Sequence, residues 1–163
     1  MNLLNLVMKK IVSYIVLITV CFFTVSFVEV AENIDIKALK NELKSELKPD
    51  FKYDSSNINQ FTLEPKKQGS EVHVPLFSSE KYKLLFNTAG LPSDFEIQIY
   101  DKKFGSKNRK LLYAIKGSES IGKHIFSFEP EAPKAMYINY LIPASEEKNI
   151  TGCIVFLMGY KIG

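Results

Sequence analysis

From Asn59 onward the sequence predicts an all-β fold, an antiparallel β-sandwich of jelly-roll-like type, preceded by an N-terminal hydrophobic segment and one short amphipathic helix. Three observations carry that prediction. Apolar residues recur at every second position in short runs. Turn-forming residues separate the runs. No helical period lies between them, which disfavours the alternating strand–helix pattern of a parallel sheet.

The runs are Phe61–Leu63, Glu71–Phe77, Tyr82–Thr88, Phe95–Tyr100, Lys110–Lys116, His124–Phe128, Met136–Ile142 and Cys153–Tyr160. Turns are expected at Lys66–Ser70, Gly90–Ser93, Phe104–Ser106, Gly117–Ser118, Pro130–Pro133 and Ser145–Asn149. In Asp94–Asp101, Phe95, Ile97 and Ile99 face one way, and Glu96, Gln98 and Tyr100 the other. Met136, Ile138, Tyr140 and Ile142 oppose Tyr137, Asn139 and Leu141 in the same manner. Cys153–Met158 is apolar at every position, so it is expected at the centre of a sheet with cover on both faces.

Ahead of the strands, Asn33–Lys48 reads as a helix. Ile36, Leu39, Leu43 and Leu47 recur at spacings of three, four and four, forming one stripe that must be buried. Docking on the following domain is the simplest cover; a partner helix or a membrane-proximal stalk is the alternative. Asn33 or Asp35 is placed to cap the start, and Pro49 to stop the ladder of hydrogen bonds. Asp50–Asn59 is polar and reads as a loop. The expected organisation is therefore 1–31 as signal peptide or uncleaved anchor, 32–57 as helix and linker, and 58–163 as the sandwich.

The first segment rests on Ile11–Val28, an unbroken apolar run behind Lys9 and Lys10. It is long enough to enter a bilayer core, and the lysines favour keeping its start on the cytoplasmic side. Met8-Lys9-Lys10 is also a usual opening for a secretory signal, with Met8 an alternative start. Both readings export the rest of the chain, to the periplasm or beyond the cell, with an inner-membrane anchor if the run is retained.

Charge and cysteine content narrow the functional classes. The chain has 21 Lys+Arg against 18 Asp+Glu, and without Lys9, Lys10 and Glu29 the balance is 19 against 17. That excludes the strongly basic face expected of a nucleic-acid binder. Only Cys153 lies beyond the apolar run, so no disulfide forms within the domain. One cysteine and two separated histidines give no zinc-site spacing. Asp94, Asp101, Glu129 and Glu131 lack the dense acidic loop that binds calcium, so neither metal nor cofactor is expected.

His73 and His124 are the two candidates for a general base, and no G-x-S-x-G places a serine for either. Cys153 sits in the most apolar run, where burial suppresses its thiolate. The chain is therefore expected not to be an enzyme, with a small envelope hydrolase as the remote alternative. The most suggestive surface stretch is Lys102–Lys110, in which Lys102, Lys103, Lys107 and Arg109 surround Phe104 near the tip. Such a loop suits an envelope protein, an anionic surface or an acidic glycan; equally, it suits a soluble connection that deters edge pairing. Tyr100 and Tyr137 fall on the polar sides of their strands and supply a candidate sugar-stacking platform. Asn149-Ile150-Thr151 fits the N-glycosylation pattern.

The succession FTL (61–63), YKLLF (82–86), FEIQIYD (95–101), HIFSFEP (124–130) and MYINY (136–140) resembles two sandwich plans. One is the GOLD domain of secretory-pathway cargo proteins, the other the pre-peptidase C-terminal type of exported bacterial sandwich. In contrast to these, the chain has no cysteine pair and no attached protease domain, and its hydrophobic segment comes first. The resemblance implies a binding or accessory module and brings no catalytic residue with it. The resulting expectation is an exported, non-enzymatic binding or assembly module of the bacterial envelope, with a carbohydrate-binding module as the alternative.

Overall fold

The computed structural model describes residues 34–131, 134–147 and 150–162. The N-terminal apolar run, the Asn33 cap and the Asn149 acceptor lie outside these residues. Among those described, no helix is long and apolar enough to cross a membrane.

Among the described residues one helix, α1 (Ile36–Ser45), precedes eight strands: β1 (Lys52–Thr62), β2 (Gln68–Val74), β3 (Glu80–Asn87), β4 (Glu96–Tyr100), β5 (Leu111–Lys116), β6 (Ile125–Phe128), β7 (Met136–Ile142) and β8 (Thr151–Ile162). A short 3-10 turn, Gly117–Glu119, follows β5. The strands form two four-stranded antiparallel sheets, ordered β1-β8-β3-β6 and β2-β7-β4-β5. First pairs with last, second with seventh, third with sixth and fourth with fifth, as if one long hairpin had been rolled up. Rolling adds the contacts β3·β8 and β4·β7 and gives the jelly-roll order.

The inward positions are those picked out by the alternation. Ile97 and Ile99 of β4, Met136, Ile138 and Tyr140 of β7, and Ile154, Phe156 and Met158 of β8 meet between the sheets with Leu84 and Phe86 of β3. Each large apolar side chain buried there stabilises the fold by about 2 kcal/mol. The other face of β8 is apolar as well. Val155 and Leu157, with Leu85 of β3, lie under Leu43, Leu47 and Phe51 in a second cluster. The helical stripe thus docks on the chain's own first sheet. Asp35 provides the cap, accepting the Ala38 N–H at 3.0 Å. Gly159 makes room for the turn that follows the helix, because a Cβ there would lie 2.4 Å from Leu47 Cδ2.

Two expectations give way. Most of the expected loop Asp50–Asn59 is strand, so β1 begins at Lys52, ahead of residue 58, and only the turn at 46–51 separates it from the helix. β1 is an edge strand with both faces largely in solvent, held by backbone pairing to β8 from Lys52↔Tyr160 to Thr62↔Thr151. Apolar alternation has nothing to record there. The helix also ends at Ser45, ahead of Pro49, where Ser45 Oγ donates to the Glu42 carbonyl at 2.6 Å and the chain passes into turns.

Candidate functional site

Among the described residues no helix lies over the outer face of the second sheet. Pairing registers set its side chains in three rows across β2, β7, β4 and β5: His73, Tyr137, Tyr100 and Leu111; Glu71, Asn139, Gln98 and Ala114; Gly69, Leu141, Glu96 and Lys116. Tyr100 and Tyr137 are therefore direct neighbours, and the His73 ring lies 5.0 Å from that of Tyr137.

The β4–β5 loop folds back over the middle row. Its turn uses Gly105 at φ 79° and Asn108 at φ 54°, the two residue types that best tolerate the left-handed region. Asp101 closes its base by accepting the Lys110 N–H at 2.7 Å, while Lys102 Nζ donates to the carbonyls of Lys107 and Asn108 at 3.3 and 3.2 Å. Arg109 points inward. Its Nε donates to the Lys102 carbonyl at 2.8 Å, and its Nη2 donates to Glu71 Oε2 at 2.7 Å and to Asn139 Oδ1. The guanidinium carbon stands 3.5 Å from the Tyr100 ring centroid, a close cation–π contact.

Glu71 is the hub. Besides Arg109 it accepts the Asn139 amide at 2.8 Å and the Phe104 backbone N–H at 3.0 Å. Desolvation pushes its carboxyl pKa up, but the Phe104 N–H, the Asn139 amide and the charges of Arg109 and Lys103 outweigh that and hold it below its ordinary value. Asn139 itself is buried, with both polar ends of its amide satisfied. One consequence of this pinning is that Phe104 remains 78% exposed at the loop tip. Beside the network opens a depression of about 490 Å³ lined by Gly69, Ser70, Leu141, Gln98, Tyr100 and Phe104, together with the network residues.

The predicted surface residues thus divide. Tyr100, Phe104, Arg109 and, on the adjacent strand, Tyr137 share one face. Lys103 and Lys107 are exposed on the same loop. Lys102 and Arg109 are engaged with the protein itself. The Arg109 guanidinium covers one face of the Tyr100 ring, whose hydroxyl donates to Gln98 at 2.8 Å. Glu71, Asn139 and Gln98 went unpredicted as site residues. Their only signal was a polar residue on the outward side of an alternating strand.

His124 lies on the other side of the sandwich. Its Nε2 is 3.1 Å from Glu42 Oε1, and Glu42 Oε2 accepts the amide of the buried Asn87 at 2.7 Å, so the three tie α1 to the first sheet. Among the described residues no hydroxyl or thiol is hydrogen-bonded to either imidazole. Cys153 is buried, and burial pushes its thiol pKa up. Among the described residues no three His, Cys, Asp or Glu side chains are placed to hold one metal ion. No protein-family model matches this chain, and no curated protein sequence matches it either.

Proposed function

We propose that the protein is an exported, non-enzymatic binding module of the bacterial cell envelope, and that it contacts its partner through the outer face of the second sheet. The observation that carries this reading is Phe104. A large apolar side chain stands in water at the tip of a loop whose backbone and arginine are fixed by Glu71 and Asn139. An aromatic held in place before binding loses little freedom on contact, which is how a few anchors come to dominate an interface. Lys103 and Lys107 flank it and favour an acidic rim on the partner. Export rests on Lys9, Lys10 and the apolar run Ile11–Val28.

A photo-crosslinking residue at position 104, introduced in the whole protein in cells, tests the reading. A discrete adduct is expected, lost when Arg109→Ala frees the loop, and absent when the crosslinker replaces the still more exposed Ile121. The same adducts from both positions, or none from position 104, would count against it. A carbohydrate-binding module is the second reading, favoured by the adjacency of Tyr100 and Tyr137 beside the depression at the network. Tyr137 is the better platform, because Arg109 covers one face of Tyr100. Glycan-array binding abolished by Tyr137→Ala would support it, and binding indifferent to that change would remove it.

A further inference from the structure

The helix carries a second pattern. Lys37, Lys40 and Lys44 each follow a residue of the buried stripe, so they run along one flank of it, about 100° around the axis, and Lys48 follows Leu47 in the turn beyond the helix. Glu42 and Glu46 fall on the opposite flank, and Glu42 is turned toward Asn87 and His124. On the lysine flank, Lys40 Nζ and Lys44 Nζ lie 5.5 and 5.1 Å from the Tyr53 ring centroid. Next to them, Lys161 Nζ and Lys83 Nζ lie 4.4 and 5.8 Å from that of Phe51. Tyr53 and Lys83 both stand opposite Gly159 in register, and Lys81 opposite Lys161, so helix and sheet contribute to one face.

Among the described residues none of Lys37, Lys40, Lys44, Lys48, Lys81, Lys83 and Lys161 forms a salt bridge. Lys83 donates to the Glu46 carbonyl. Of the acids nearby in sequence, Asp54 lines a different depression with Tyr82, and Asp50 lies exposed in the turn. The Tyr53 hydroxyl pKa is lowered, first by its hydrogen bond with Ser56 and further by Lys40 and Lys44, against desolvation.

We propose that this face docks on an anionic phospholipid surface. Lysines gathered without counter-charge repel one another and are relieved by an anion. Tyr53, 43% exposed in their midst, adds an aromatic of the kind that settles at headgroup depth. The same sequence carries Ile11–Val28, a run suited to bringing the chain to a bilayer. The surface is separate from the Phe104 loop, so either assignment can fail alone.

The chain contains no tryptophan, which makes Tyr53→Trp a single reporter. The full-length variant is reconstituted in phosphatidylcholine vesicles with or without phosphatidylglycerol. Blue-shifted emission and quenching by brominated lipid are expected only with the anionic lipid, and are expected to vanish at high salt. Phe104→Trp in a parallel preparation, its tryptophan on the opposite sheet, should show neither change. Lys40→Gln and Lys44→Gln in the reporter background should each weaken docking about fivefold, read from the quenched fraction as phosphatidylglycerol is increased. Equal exposure of the Tyr53→Trp reporter in neutral and anionic vesicles would overturn the proposal. The same shift produced by heparin without vesicles would mark a general polyanion site and overturn the lipid assignment.

Discussion

The two sheets of this sandwich cover their outer faces by opposite means. On the first, Leu43, Leu47 and Phe51 press on Leu85, Val155 and Leu157, each no more than 8% exposed, and polar ties such as Glu42–Asn87 sit at the margin. On the second, a loop is drawn down by one carboxylate that gathers an arginine, an amide and a backbone N–H. Apolar contact is strong in sum and indifferent to direction. A hydrogen-bonded cluster contributes less net stability but fixes geometry. The first arrangement suits a permanent lid, and the second suits a surface that must present a particular side chain in a particular place.

Single substitutions can set the two covers against each other. Leu43→Ala should have the largest effect, a loss of about 3 kcal/mol by denaturant titration, because it leaves a cavity under the helix. A loss under about 1 kcal/mol would mean that the lid is loosely packed. Glu71→Ala should cost about 2 kcal/mol, since it strands Arg109 and the buried Asn139 amide. If the stability of that variant were unchanged, the loop would be resting on the sheet without being held.

Asp35→Ala, which removes only the cap of the lid, should cost about 1 kcal/mol. Acid offers a subtler separation. The Glu71 carboxyl pKa is held below its ordinary value, so its contribution is present above the unfolded-state value and is lost as pH falls through the lowered folded one. Loop resonances should therefore shift at a pH below the normal carboxylate range while Leu43 methyl signals stay in place. Simultaneous movement would show the two covers to be one cooperative unit.

Much of this architecture was legible in residue order alone. The alternation in Phe95–Tyr100 and Met136–Ile142 correctly assigned inner and outer faces, because each strand has one face in the core. The doubly apolar Cys153–Met158 marked a strand covered on both sides, and the leucine stripe marked its cover. The first part of β1, before Phe61, was hidden because an edge strand, wet on both faces, is specified by backbone pairing and not by side-chain pattern. The site was half legible. Tyr100 and Tyr137 could be placed on outward faces, but their adjacency depends on β4 lying beside β7, a consequence of the roll. Arg109 read as one more cation in a basic loop. Its inward turn depends on Glu71, which comes from another strand 38 residues away.

The central claim is that the β4–β5 loop is clamped in place by Glu71, Asn139 and Arg109. Amide hydrogen exchange at Phe104 reports on it most directly, because that N–H sits in an exposed loop and its acceptor is the Glu71 carboxylate. The account predicts marked protection in the wild-type protein, and exchange near the unstructured rate in Arg109→Ala and Glu71→Ala at unchanged protection of the β8 amides. Free exchange at Phe104 in the wild type, or protection that survives both substitutions, would contradict it.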